Sequence, residues 1–328
     1  MQQFIHKDIR MSYIDSGIPQ HLTQVQETFQ QDQKSTVGYD FTILFLHNGG
    51  TSSIIWKHQL DSLSHKYRTI AVDLPGFGES SRSERKIDLN DYAELLEAFI
   101  NKLNLSKVLL VGNCMGSNIA FKLSSSIQNK PTKNKIVGII FINPLTKRTF
   151  EKGKIGWLYS LEHRIPKPTK LVLDISRKVT PPKFIAKTVV YFQVGKRQNY
   201  KSVSSDSKLV ACNMRKEQLP ALIDVLEDMD SYGSFDNIQN DSIKVPTMVV
   251  LGKKNNVLSF PRMKQLAERI SPNEYRELDD CGHLPMLEDP STITDLILEF
   301  IHRYIDSDID VIPTGSKNKL LSDPSSKT

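Results

Sequence analysis

Short β-branched apolar runs alternate with amphipathic stretches along most of the chain, the pattern of a mainly parallel sheet covered by helices. The runs that read as strands are FTILFLH (41–47), YRTIAVDLP (67–75), KVLLVGN (107–113), KIVGIIFINP (135–144) and PTMVVLGK (246–253). Between the second and third, Tyr92, Leu95, Leu96, Phe99, Ile100 and Leu103 recur at helical spacing behind Asn90, a residue suited to capping. That spacing predicts a crossover helix. From 145 to 243 the strand rhythm breaks, Lys and Pro accumulate, and core strands lie on both sides, so this stretch is expected to be an inserted, largely helical cap. The expected organisation is therefore a core at 1–144, the cap at 145–243, a second part of the core at 244–305, and a tail from 306 to 328 with a disorder-like composition. Residues 19–38 are polar and read as a long excursion between an N-terminal hairpin and the first central strand.

Composition narrows the class. The 328 residues, 39% of them hydrophobic, suffice for a sizeable core. The longest apolar run, IVGIIFI at 136–142, is far below membrane-spanning length, and MQQFIHKDIRMSY shows no apolar stretch behind a basic start. The expectation is a cytoplasmic protein with no stable membrane insertion. The net charge of +6 is uneven, since residues 145–201 carry 14 Lys or Arg against 3 acids. Such a segment suits an anionic partner such as coenzyme A, a phosphopantetheine-type carrier or a membrane surface, and equally a solvated helical face. No nucleic-acid recognition motif accompanies it. Cys114, Cys212 and Cys281 are too few and too scattered for a disulfide framework or a zinc site, so no metal is expected and each thiol is considered singly.

Cys114 is the thiol with a context. In VGNCMGS (111–117), Gly112 and Gly116 flank it after a strand and before the helical SNIAFKLSSSI. A nucleophile on such a turn is held in a strained conformation, and small residues two places away on each side let strand and helix approach. The helix N-terminus beneath the sulfur favours the thiolate.

At these residues the chain resembles the α/β-hydrolase fold superfamily, over roughly residues 5–305 and with the cap included. LFLHNGGTSSIIW (44–56) is similar to the oxyanion-loop segment of haloalkane dehalogenases and their epoxide-hydrolase relatives, and VDLPGFGESS (72–81) to the family's D-x-P-G-x-G-x-S loop. VGNCMGS occupies the place of the nucleophile elbow, and DDCGHLPMLEDP (279–290) that of the loop carrying the catalytic histidine. The resemblance implies Cys114 as nucleophile, His283 as general base, and the backbone N–H groups of Met115 and of Asn48 or Gly49 as oxyanion hole.

The acid departs from the family pattern. The family places an aspartate three residues beyond the glycine that ends PTMVVLG, where this chain has Asn255; some relatives use the end of the preceding strand, where it has Asn143. Asp230, Asp236 or Asp241, at the cap boundary, are further candidates. A serine triad loses roughly 10⁴-fold when its aspartate becomes asparagine. A thiol needs less help, because its pKa of about 8.5 can fall several units beside a histidine, and an asparagine can orient the ring as in papain-like proteases. Thiol and missing carboxylate thus suit one another.

The resemblance does not extend to dehalogenation, which needs an aspartate nucleophile followed by tryptophan where this chain has Cys114 and Met115. Acyl transfer through an acyl-cysteine remains. Elbows of this form occur in dienelactone hydrolases, polyhydroxyalkanoate synthases and some assembly-line thioesterase domains. The expected activity is a thioesterase- or esterase-like hydrolase without cofactor, acting on a small-molecule acyl substrate, free or bound to CoA or a carrier protein. An acyltransferase is the alternative, and a non-catalytic ligand-binding protein a third. Trp56 and Trp157 read as packing residues, Cys212 as an ordinary residue of the cap, and Cys281 as buried near His283.

Overall fold

The structure is a computed structural model that describes residues 1–19, 41–128, 130, 135–156, 180, 182–239 and 242–306. Most of the 19–38 excursion, Trp157, Asp241 and the tail beyond 306 lie outside the described residues.

An eight-stranded sheet runs in the order β1-β2-β4-β3-β5-β6-β7-β8. Its strands are β1 (Gln2–His6), β2 (Ile9–Asp15), β3 (Thr42–Leu46), β4 (Arg68–Val72), β5 (Lys107–Asn113), β6 (Lys135–Ile142), β7 (Thr247–Gly252) and β8 (Glu274–Leu278). The β1–β2 hairpin and the β2–β4 pair are antiparallel, and all other neighbours are parallel.

The central strands are buried on both faces, as uninterrupted apolar runs require. Alternation still sorts their side chains. Leu44, Leu46, Val108 and Leu110 join one core cluster, whereas Ile43, Phe45, Leu109 and Val111 join the other. The helices that enclose the sheet include α1 (Lys57–Leu63), α2 (Leu89–Lys102), α3 (Met115–Gln128), α4 (Lys183–Gln193), α5 (Gln218–Glu227), α6 (Phe260–Ile270) and α7 (Pro290–Tyr304). Apolar residues of α2, α3 and α6 enter the first cluster and those of α1 and α7 the second.

The crossover helix α2 is capped by Asp88 and not by Asn90. Asp88 accepts the N–H groups of Asn90 and Asp91, and the Asp91 carboxylate reaches back to the Asp88 N–H. The reciprocal pair satisfies donors that a lone Asn90 cap would leave open. Strand β8 went unread in the sequence because EYREL carries few apolar residues and forms the sheet's edge.

Between β6 and β7 the described residues form helices and turns and no strand. Several polar contacts tie this stretch to the sheet's helices and loops. Arg82 pairs with Asp224 at 2.5 Å, the Leu89 N–H donates to Asp228 at 3.0 Å, and Lys57 pairs with Asp206 at 2.7 Å. A Cβ on Gly76 would meet Ala221 Cβ at 2.4 Å, so α5 lies directly on the loop after β4.

Candidate active site

The turn from β5 into α3 holds Cys114 at φ +53°, a left-handed backbone that costs a residue other than glycine roughly 1–3 kcal/mol. Its surroundings over-determine it. The Cys114 N–H donates to Ile142 O at 2.9 Å, and its carbonyl accepts Ser117 N–H at 3.0 Å and Leu145 N–H at 3.2 Å. A Cβ on Gly112 would lie 2.4 Å from Gly116 O, and one on Gly116 would lie 2.3 Å from Leu46 O. These contacts are the physical content of the G-x-C-x-G spacing. Ser117 Oγ then bonds Gly112 O at 2.6 Å, closing the turn.

The loop after β3 lies against this turn. His47 Nε2 accepts the Leu74 N–H at 2.8 Å, so its proton sits on Nδ1 and is donated to Asn48 O, also at 2.8 Å. Asn48 Nδ2 donates to Gln193 Oε1 at 2.9 Å, and Asn48 Oδ1 accepts Thr51 Oγ1 at 2.7 Å. The Asn48 side chain is thereby committed to holding α4. Gly49 is the neighbour of the elbow, since a Cβ there would sit 3.9 Å from Met115 Sδ. The Met115 N–H, in the first turn of α3, has no acceptor within its own helix.

His283 is 1% exposed and stands on a loop lashed to the sheet's carboxyl ends. Its N–H donates to Gln193 O at 2.8 Å, and its carbonyl accepts Asn113 Nδ2 at 3.2 Å. Asn143, itself at φ +45°, donates Nδ2 to Gly282 O at 3.0 Å and accepts the Gly252 N–H at 2.9 Å. It holds the loop's main chain, not the ring. The ring contact is made by Asn255, whose Nδ2 lies 3.1 Å from His283 Nδ1, while its Oδ1 accepts the N–H groups of Val257 and Leu258 at 2.9 Å each.

The carboxylates considered from the sequence are engaged elsewhere. Asp230 pairs with Lys147 at the surface, and buried Asp236 accepts Thr146 Oγ1 at 2.6 Å and the Arg148 N–H at 3.0 Å. Asp241 lies outside the described residues.

The electrostatics run against the expected thiolate and imidazolium. Burial pushes the Cys114 thiol up to about 12, with the Met115 N–H opposing it, and burial pushes His283 down to about 3. Desolvation outweighs the helix dipole here because no charge of opposite sign compensates it. Both groups are therefore neutral near pH 7. Among the described residues no hydrogen bond joins Cys114 Sγ to the His283 ring.

Sequence reasoning missed two residues of this site. Gln193 bridges the oxyanion loop and the histidine loop from the end of α4, and Glu288 accepts the N–H groups of Gly195 at 2.7 Å and Gly282 at 2.9 Å. Gln193 follows no motif. Glu288 lies within the histidine-loop motif, five residues after His283, but its partner Gly195 is remote in sequence. Trp56 is fully buried against Phe45, with ring centroids 4.9 Å apart, and Cys212 lies 3.1 Å from Ser52 Oγ. Cys281 is buried two residues from His283. Among the described residues no cluster of metal-ligating side chains occurs, and no helix is long and apolar enough to cross a membrane.

Comparison with known proteins gives concordant matches. The sequence profile of the alpha/beta hydrolase fold family matches residues 42–290. Putative esterase/lipase 2 of Mycoplasma pneumoniae is 28% identical over 264 residues, covering 79% of this chain and 88% of that protein. AB hydrolase superfamily protein YisY of Bacillus subtilis is 25% identical over 276 residues, covering 80% of this chain and 92% of that one. A thermophilic esterase from Thermogutta terrifontis superimposes with a TM-score of 0.68 over 90% of this chain and 94% of its own, at 20% identity, a likeness of fold.

Proposed function

Because the chain belongs to the alpha/beta hydrolase fold family, whose similar members here include esterase- and lipase-like hydrolases, we propose that it hydrolyses an ester or thioester through an acyl group carried on Cys114. The supporting observation is a thiol at φ +53° on the β5–α3 turn, at a helix N-terminus and beside the Gly49 loop. A strained nucleophile next to converging backbone donors is the arrangement that acyl transfer uses.

In this reading Cys114 Sγ attacks the carbonyl carbon and the carbonyl oxygen, now negative, is received by the N–H groups of Met115 and Gly49. His283 takes the thiol proton and returns it to the departing alcohol or thiol as that bond breaks. Water then attacks the acyl-cysteine, giving the free acid and restoring the thiol. The scheme needs neither metal nor cofactor. Exchange from a thioester onto a thiol is close to isoenergetic, which favours thioesters and activated esters over amides. The basic segment 145–201 supports a carrier-bound or CoA-bound acyl group, although Lys147 and Lys196 within it already pair with Asp230 and Asp280. The described residues between β6 and β7 serve in this proposal as the cap that shapes the acyl site.

The test is intact mass after brief incubation with a panel of acyl thioesters and activated esters, with wild type beside Cys114→Ala. The expected result is an acyl-sized mass increase in wild type alone, decaying in water to free acid. Decay only on addition of an alcohol, amine or thiol would make the protein an acyltransferase. Absence of both adduct and turnover would leave a ligand-binding member of the family.

A further inference from the structure

The hydrogen bonds of Asn255 fix which way its amide points. Its Oδ1 accepts two backbone N–H groups, from Val257 and Leu258, at 2.9 Å each. Turning the amide over would aim the NH₂ of Asn255, a residue 7% exposed, at those two donors and leave it and both N–H groups without an acceptor. The atom facing His283 Nδ1 at 3.1 Å is therefore Nδ2, a donor. A donor demands an acceptor. His283 Nδ1 must be bare, and the neutral imidazole carries its proton on Nε2.

This polarity is the reverse of what a general base needs. To take the thiol proton at Nε2 the ring must hold its proton on Nδ1, with an acceptor beside it. We propose that Asn255 is a positioning residue that holds His283 as the Nε2–H imidazole at rest, so that the site is a restrained thiol that becomes base-competent only when the Asn255 amide turns over. This rests on the acyl-transfer reading and sets how that site is regulated. The turned state must release the Val257 and Leu258 N–H groups, so it is a minor population, and the rate of Cys114 acylation is reduced by that population. A substrate that contacts residues 255–258 and satisfies those donors would favour turnover of the amide.

Other charges do not substitute for the missing acceptor. Ionisable groups on the histidine loop include Asp279 paired with Lys253, Asp280 paired with Lys196 and Lys254, and Cys281, Glu288 and Asp289. Glu288 is turned towards the N–H groups of Gly195, Gly282 and Leu284. The position of His283 on the scale is set by burial alone.

Asn255→Asp preserves shape and changes the answer. One carboxylate oxygen can accept the Val257 and Leu258 N–H groups while the other accepts Nδ1–H, restoring a base at Nε2 without any rotation. The experiment measures ring ¹⁵N shifts of His283 and the rate of Cys114 alkylation by iodoacetamide from pH 5 to 10, in wild type and Asn255→Asp, with acyl-adduct formation recorded in parallel. The expected result is a bare Nδ1 and protonated Nε2 in wild type, protonated Nδ1 in the variant, and alkylation of the variant at least about tenfold faster at pH 7. A protonated Nδ1 in neutral wild-type protein would overturn the proposal, as would unchanged or slower alkylation in a folded Asn255→Asp variant. The ring shifts do not depend on catalysis. If neither protein formed an acyl adduct, the acyl-transfer reading would fail while the ring shifts still decided the tautomer.

Discussion

At Gly116 the added methyl of an alanine would stand 2.3 Å from a backbone carbonyl, and no side-chain rotation can relieve that contact. Gly116→Ala is expected to destabilise the protein by at least about 2 kcal/mol, read from the urea midpoint, because strand β3 and helix α3 must separate. Cys114 itself supplies a second prediction. Serine has no comparable acidity and depends on a carboxylate behind the histidine, so Cys114→Ser is expected to hydrolyse p-nitrophenyl acetate only at a low residual rate. Cys114→Ser combined with Asn255→Asp is expected to exceed it by roughly 10³–10⁴-fold, the scale of an aspartate's contribution to a serine triad. Equal rates for the two variants would show that residue 255 does not act on the ring. The pH dependence of wild-type Cys114 follows from the same burial. With the thiol near 12 and His283 near 3, its alkylation is expected to rise with hydroxide through the alkaline range without an inflection between about pH 5 and 8.

At the scale of elements, α2 separates two readings of its start. Asp88→Ala removes the oxygen that accepts the Asn90 and Asp91 N–H groups and is expected to cost about 1 kcal/mol in chemical denaturation; Asn90→Ala should cost less than half of that. The apolar positions of α2 were legible in the chain because the 3.6-residue period needs no partner to be seen. The cap was misread by two residues because Asp88 and Asn90 are both good capping residues, and only the reciprocal Asp91 bond distinguishes them. Strands β3, β4, β5, β6 and β7 were equally plain, being buried on both faces and hence continuously apolar. Strand β8 was not, since an edge strand with half-exposed residues has no such run.

Across the whole molecule, the insertion and the histidine loop meet through Glu288. Burial raises its carboxyl above the ordinary value of 4.5, so between 4.5 and that raised value the folded state binds more protons than the unfolded one. Its contribution to stability therefore falls as pH rises through that window. Subtracting the unfolding free energy of Glu288→Gln from that of wild type is expected to give a difference that shrinks with rising pH there, measured by urea titrations at several pH values. A pH-independent difference would mean that the carboxyl group binds its proton equally well in the folded and unfolded chain, its hydrogen bonds offsetting its burial. Glutamine keeps a single acceptor oxygen, so one of the two bonds from the Gly195 and Gly282 N–H groups is lost, and limited proteolysis is expected to cut the variant faster in the segment after α4.

Local order sufficed for much of this protein. Alternating apolar runs determined a mainly parallel sheet, and the glycines around Cys114 determined a strand–turn–helix junction, because both depend on neighbours in the chain. The order of the motifs placed Cys114, His283 and Asn255 in one candidate site. What the sequence does not contain is the third dimension of each polar group. Asn255 and Asn143 were equivalent as letters, and only the folded loops direct one to the ring and the other to the main chain. A helix N-terminus beneath Cys114 suggested a thiolate, but the number of atoms packed over the sulfur decides the outcome, and that is a property of the closed fold. The direction of the Asn255 amide rests on two backbone N–H groups in a turn, and such a turn has its hydrogen bonds only once the chain has folded around it.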